Sequence, residues 1–269
     1  MTTLLLCLID GMRPDGLQAA RTPVIDSLVA SGVSTMEAGT VMPSITLPCI
    51  TSLFLSAPPS QHGVTTNTWS AQGAGPGLVE VLAQAGLTTA FFYNWEPLRD
   101  LSRPGALQAS VFIKGDSAPE DYADAKLTEE AARYLQAARR ARRPFDFAFV
   151  YLGNTDAVGH RHGWMSGPYL AAIENADACI GTLLEAVDGE ARIIVTSDHG
   201  GHATAHGSDA YEDMTIPIVL AGHKTFQAGR RLTKPASILD IAPTVARWLG
   251  VAPDPAWLGE PIALGPPEA

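Results

Sequence analysis

At 269 residues the chain can form one large α/β domain or two ordinary ones, and with 46% hydrophobic and 17% charged residues it can build a sizeable core, which excludes a disordered or collagen-like chain. Its 18 Lys and Arg against 28 Asp and Glu leave a formal charge of −10, a poor match for a nucleic-acid backbone or an anionic membrane. A phosphate-bearing ligand would need a local positive charge, which a metal ion can supply. Cys7, Cys49 and Cys179 are odd in number and widely spaced, so buried thiols are expected, not a disulfide framework or a thiolate zinc cage.

The chain opens on an apolar run, 3–9, with no basic leader or cleavage site and with Asp10 closing it; it reads as a first strand. Residues 22–30 follow as a helix, with Thr22 as the cap, Pro23 in the first turn, and Val24, Ile25, Leu28 and Val29 on one face. The segment VMPSITLPCITSLF places Thr46 where a Pro-containing loop enters a helix, with Pro48 in its first turn. A helix over 78–85, strands over 87–93 and 110–113 and a helix over 123–141 come next. The basic run 139–143 at that helix end opposes the negative end of the dipole. Strands over 145–152, 192–196 and 216–220 and helices over 168–187 and 237–249, the last opened by Ser237, complete the pattern.

Short β-rich runs alternating with helices predict an α/β fold, a mostly parallel central sheet with helices on both faces. No repeat is present, and Gly and Pro are dispersed apart from 73–77 and the tail 265–269, so one domain over 1–269 is the simplest organisation. No stretch approaches the ~18 apolar residues that a membrane span requires, and a soluble, cytoplasmic protein is expected.

Three predicted strands run directly into possible ligands. Asp10-Gly11 follows the first, Asp156 and His160 follow 145–152, and Ser197-Asp198-His199 with two glycines follows 192–196. Carboxyl ends of parallel strands are where α/β proteins bind ligands. Asp156 and His160 are four apart and can point the same way in a helical or tight turn, with Gly159 relaxing the backbone. His202 and His206 lie downstream in GGHATAHG. Oxygen and imidazole donors suit Zn²⁺, with Mn²⁺ or Fe²⁺ as alternatives, and two ions ~4 Å apart can hold the attacking and leaving oxygens of a displacement at phosphorus. For a nucleophile, Thr46 at a helix N-terminus can either cap the helix or meet a phosphoryl group; Ser44 is the competing hydroxyl.

Asp10-Gly11 with Arg13-Pro14-Asp15, Pro43-Ser44-Ile45-Thr46-Leu47-Pro48, His62-Gly63-Val64-Thr65-Thr66-Asn67, Asp156-Ala157-Val158-Gly159-His160 and Ser197-Asp198-His199-Gly200 resemble the alkaline phosphatase superfamily, most closely its nucleotide pyrophosphatase/phosphodiesterase branch. The segment Ile238-Leu239-Asp240-Ile241-Ala242-Pro243-Thr244 is similar to the family's closing helix. The resemblance implies that Asp10, Thr46, Asp198 and His199 surround one zinc with Thr46 as nucleophile, and that Asp156, His160 and His206 hold a second. It also implies that Asn67 hydrogen-bonds a phosphoryl oxygen. His206 is preferred to His202 because it precedes Gly207, as the family's final histidine precedes a glycine; His202 and His162 then take supporting or solvent roles.

Two departures stand out. Cys49 follows Pro48 where the phosphodiesterases usually carry Asn-His, and only six residues separate His199 from His206, where relatives commonly insert a substrate-recognition segment, so an open site is expected. The implied activity is hydrolysis of a small phosphate- or phosphonate-containing ester through a phosphothreonine on Thr46, with no nucleic-acid polymer or membrane as partner. Rivals are a phosphomonoesterase, a phosphonoacetate hydrolase-like enzyme cleaving a carbon–phosphorus bond, a sulfatase, a phosphomutase and a non-catalytic zinc-binding protein. Thr46 disfavours the sulfatase, whose branch normally carries a modifiable Cys or Ser there, and the chain is too short for the phosphomutases' inserted domain. Arg13, Arg99, Arg103 and Lys114 are the cations a monoesterase could recruit, and Trp69, Tyr93 and Trp95 are the aromatics that could line a leaving-group pocket.

Overall fold

The computed structural model describes residues 3–70, 75–114, 122–187, 191–222 and 228–263; residues 73–74 of the first Gly-rich stretch and the tail 265–269 lie outside them. Its strands are β1 (Leu4–Ile9), β2 (Val33–Gly39), β3 (Thr89–Tyr93), β4 (Ala109–Phe112), β5 (Phe147–Leu152), β6 (Arg192–Thr196), β7 (Thr215–Ala221) and β8 (Arg230–Arg231). They form one sheet in the order β4-β3-β5-β1-β6-β7-β2-β8. Pairing is parallel throughout except where β7 meets β6 and β2. This is an α/β architecture, a mostly parallel sheet with helices on both faces, as the sequence predicts.

The helices are α1 (Pro14–Ala19), α2 (Pro23–Ser31), α3 (Thr46–Leu55), α4 (Pro59–His62), α5 (Leu78–Gln84), α6 (Tyr122–Arg140), α7 (Asn154–His162), α8 (Gly167–Ala186), α9 (Tyr211–Met214) and α10 (Ile241–Trp248). Alternation along the central strands sorts the core into two layers. Leu4, Leu6 and Leu8 of β1 and Phe147, Phe149 and Tyr151 of β5 face α3, α5 and α10. Leu5, Cys7, Ile9, Ala148, Val150 and Leu152 face the side covered by α6 and α8. Both faces are buried, which is why these strands read as continuous apolar runs. All three cysteines are buried, and none is in a disulfide.

Phe54, Phe91 and Phe149 meet edge to face at centroid separations of 5.0–5.3 Å. Phe149→Ala is expected to cost about 3–5 kcal/mol in chemical denaturation, and a loss below about 1 kcal/mol would contradict this packing.

Four local expectations change. The 237–249 helix is a 3-10 turn, Ile238–Asp240, followed by α10; the Ser237 hydroxyl accepts from Leu239 N–H and the Asp240 carboxylate from Ser237 N–H. Thr22 is the N-cap residue of α2 as expected, but its side chain makes no capping bond: its hydroxyl donates to Asp26, and the Val24 and Ile25 N–H groups go to the Asp177 carboxylate of α8, at 3.2 and 2.7 Å. β2 is an additional strand, whose mixed burial and register shift between Thr35 and Ala38 blur its alternation. β7 runs antiparallel because α9 leads straight into it from the edge where β6 ends.

Candidate active site

β5, β1 and β6 lie side by side and point the same way, so their carboxyl ends share one edge. Asp10 directly follows β1, α7 begins two residues after β5, and Asp198-His199 lies just beyond β6. β2 also ends on this edge, and the chain then runs through Pro43 into α3, delivering Thr46. The helix cap of α3 is Ile45, and no side chain caps it. The Thr46 hydroxyl lies instead 3.2 Å from His199 Nε2, while the Ser44 hydroxyl donates to the Ser208 carbonyl.

Beside Thr46 the ligand-type atoms form two adjoining groups, with His199 also within 4.8 Å of Asp156 and His206. In the first, His199 Nε2 is 3.3 Å from Asp10 Oδ1 and 3.5 Å from Asp198 Oδ2. In the second, Asp156 Oδ1 is 3.5 Å from His206 Nε2, Asp156 Oδ2 is 3.5 Å from His160 Nε2, and the two Nε2 atoms are 3.1 Å apart. Asp156 and His160 share α7, so their four-residue spacing is helical. The shared helix brings the pair to one side, and the loop after β6 brings His206 to meet it.

Each imidazole is oriented by its other nitrogen. Nδ1 of His160, His199 and His206 lies 2.8–2.9 Å from the carbonyls of Thr204, Gly200 and Ser44. A carbonyl only accepts, so each Nδ1 carries the proton and each Nε2 presents a lone pair to the site. Burial, and then His199, lowers the His206 pKa, which keeps that ring neutral. The carboxylates are equally committed. Asp10 Oδ2 accepts from Tyr151, and Asp198 Oδ1 accepts from the N–H groups of Gly11 and His199. Asp10 Oδ1, Asp156 Oδ1 and Asp198 Oδ2 are buried without a hydrogen-bond partner.

Lone pairs facing one another at 3.1–3.5 Å repel unless a cation lies between them. Burial and the neighbouring Asp198 and Asp156 carboxylates push the Asp10 pKa well above its ordinary value, the same electrostatic mismatch in another form. Ligand atoms 2.0–2.1 Å from a tetrahedral ion such as zinc stand roughly 3.3 Å from one another. The residues present therefore fit a pair of divalent cations.

Trp164 braces this arrangement. Its indole N–H donates to the Gly11 carbonyl at 2.9 Å, and its ring stands edge-on to His160 with centroids 5.1 Å apart. A Cβ at Gly159 or Gly201 would come within 2.8 or 2.2 Å of that ring. Gly159 thus serves close approach by Trp164, not a relaxed backbone as its sequence context suggested. Gly201→Ala is expected to displace Trp164 and lower metal affinity at least about 10-fold, read by zinc titration.

Asn67 is fixed by accepting the Leu47 N–H at 3.0 Å, which leaves its amide Nδ2 as the donor on the cavity side. Its loop is held by buried His62, whose Nδ1 accepts from Val64 N–H and whose Nε2 donates to Ser52 of α3. Burial lowers the His62 pKa from 6.5 to about 4. The unfolded chain binds this proton first, so the His62 contribution to stability is complete above about pH 6.5 and lost as pH falls towards 4. The stability gap between wild type and His62→Gln should narrow over that range; a pH-independent gap would contradict it.

A cavity of about 570 Å³ opens from Thr46, Asp10, Asp156 and His206 towards Asn94, Trp95, Phe112, Lys114 and Arg161. His202 is outside this cluster, 2.7 Å from the buried Asp213. Arg13 binds Asp15 and the Gly201 carbonyl, and Arg99 binds Glu96 and Asp100. Of the cations singled out in the sequence, Lys114 lines the cavity, and exposed Arg161 of α7, next to His160, borders it as well. Among the aromatics, Trp95 lines the cavity, Tyr93 is buried and Trp69 donates to the Pro97 carbonyl.

Residues 4–216 match the family model of type I phosphodiesterase / nucleotide pyrophosphatase. The chain belongs to that family. The type I phosphodiesterases are part of the alkaline phosphatase superfamily, and the chain's other likenesses fall there too. Steryl-sulfatase of Mus musculus is 28% identical over 214 residues, 67% of this chain and 34% of its own length. An uncharacterized pyrophosphatase/phosphodiesterase of Schizosaccharomyces pombe is 23% identical over 241 residues, 83% of this chain and 50% of its own. The chain thus spans between a third and a half of these two curated relatives. Murine ectonucleotide pyrophosphatase/phosphodiesterase 5, solved as an inactive threonine-to-alanine variant in complex with AMP, superposes with a TM-score of 0.77 at 15% identity, covering 95% of this chain and 96% of that one. At that identity the likeness is one of fold.

Proposed function

We propose that the chain is a metal-dependent phosphoric ester hydrolase of phosphodiesterase type, with Thr46 as nucleophile and two zinc ions as cofactors. The observation that carries this reading is the convergence of Asp10, Asp198 and His199, with the Thr46 hydroxyl 3.2 Å from His199 Nε2, and beside them of Asp156, His160 and His206. When bound, the two ions activate the threonine hydroxyl and neutralise charge on the leaving oxygen.

Thr46 gives its hydroxyl proton to solvent and attacks phosphorus in line; the Thr46 oxygen–phosphorus bond forms as the bond to the leaving oxygen breaks, and the leaving group departs as an oxyanion that takes a proton from solvent. The α3 N-terminus points its positive end at the phosphoryl group, and Asn67 Nδ2 donates to a non-bridging oxygen. Water then attacks the phosphothreonine, restoring the hydroxyl and releasing the second product. Two inversions give retention at phosphorus.

The substrate is a small phosphoric ester whose leaving group occupies the space bounded by Asn94, Trp95 and Phe112. Rates of the zinc-loaded protein on a chromogenic diester, a monoester and phosphonoacetate test this, with the diester expected to be fastest. Monoester or phosphonoacetate preference would retain the metal chemistry and overturn the diester assignment, and inactivity on all three would overturn the hydrolase reading.

A further inference from the structure

Asp124 stands outside both ligand sets, yet it controls the helix that carries one of them. It lies in α6, is 2% exposed, and reaches the start of α7. Its Oδ1 accepts from Gly153 N–H at 3.1 Å and its Oδ2 from Asn154 N–H at 3.3 Å. The helix cap of α7 is Gly153, which has no side chain to bond these donors itself. Asn94, immediately after β3, completes the junction by donating Nδ2 to Asp124 and accepting Gly153 N–H at 3.2 Å. Burial pushes the Asp124 pKa up to about 7, so above that pH its charge meets the positive end of α7 in the same sense as its hydrogen bonds.

Asp156 is two residues beyond Asn154, and His160 is one turn further along the same helix. The first turn of α7 cannot shift without moving the Asp156 carboxylate, and residues that orient a metal ligand in this way are worth roughly 10- to 100-fold in metal affinity. Resting on the two-metal reading above, we propose that Asp124, bridged by Asn94, is a positioning residue that sets the affinity of the Asp156/His160/His206 metal site and leaves the Asp10/Asp198/His199 site independent of it. The molecule contains its own control. Asp177 of α8 caps α2 in the same way through Val24 and Ile25, and α2 carries no site residue.

The test is a zinc titration of metal-free protein against a competing chelator, which resolves two affinities per chain. Asp124→Asn places an amide group against a backbone N–H donor or against Asn94, and is expected to weaken one site about 10- to 100-fold with the other changed less than about 2-fold. Asp177→Asn is expected to lower thermal stability and leave both affinities alone. The exchanged pair Asn94→Asp/Asp124→Asn restores one carboxylate and one amide to the junction and should recover most of the lost affinity. Unchanged affinities in Asp124→Asn would overturn the proposal, as would an equal weakening in Asp177→Asn. If Asp124→Asn does not fold, Asn94→Ala keeps the carboxylate and is expected to weaken the same site by a smaller factor; unchanged affinity there would overturn the proposal equally. A wild-type chain that binds no pair of zinc ions would instead overturn the metal reading beneath it.

Discussion

Thr46→Ala is expected to lower turnover of a phosphodiester by at least about 10³-fold while the protein stays folded and retains its zinc. The threonine hydroxyl is one atom of the site, most ligands remain without it, and His199, Asp10 and Asp198 keep their own supports. Loss of activity with metal retained separates a nucleophile from a structural threonine. Activity within about 10-fold of wild type would remove Thr46 from the chemistry and leave water as the attacking group. Thr46→Ser, which keeps a hydroxyl, should recover part of the activity.

Asp198→Ala is expected to act through the metal. The residue is fully buried, its Oδ1 holds the backbone of Gly11 and His199, and its Oδ2 faces Asp10 and His199. Zinc content should fall from two ions per chain to one, with activity lost by about 10³-fold or more, because the hydroxyl of Thr46 loses its activating ion. Unchanged zinc stoichiometry would contradict the ligand set. The same coupling appears in stability. A metal that binds only the folded chain adds about 4 kcal/mol at a free concentration 1,000 times its Kd. Chelation should therefore lower the melting temperature, and zinc should restore it.

Much of this was legible in the sequence because strand ends in a parallel sheet converge. Apolar runs ending in Asp10, in Asp156 through α7, and in Asp198-His199 mark three strands, and the sheet order places those strands side by side. What the sequence conceals depends on contacts between distant segments. Tyr151 reaches Asp10 across the β1–β5 pair, and Asp124 reaches α7 from a different helix. Trp164 needs the glycines at 159 and 201 together before its place is apparent. β2 is hidden for a local reason, since a register shift breaks the two-residue period that would reveal it. The antiparallel direction of β7 is set by the short return through α9, which hydrophobic periodicity does not encode.

The choice between His202 and His206 illustrates the same limit. Both stand in one loop of GGHATAHG, and the fold turns His206 towards His160 and His202 towards Asp213. Asp213 also accepts the Ser208 N–H and hydroxyl, so the carboxylate that takes His202 away from the cluster also fixes the loop just after His206. The spacing of the histidines could not reveal this partner, because Asp213 lies beyond the loop at the entrance to β7.

The measurement that tests the central claim most directly is the stereochemical course of hydrolysis of a P-chiral phosphorothioate diester by the zinc-loaded protein. Attack by Thr46 followed by water predicts retention of configuration at phosphorus. Inversion would mean a single displacement by water and would contradict the covalent role assigned to Thr46.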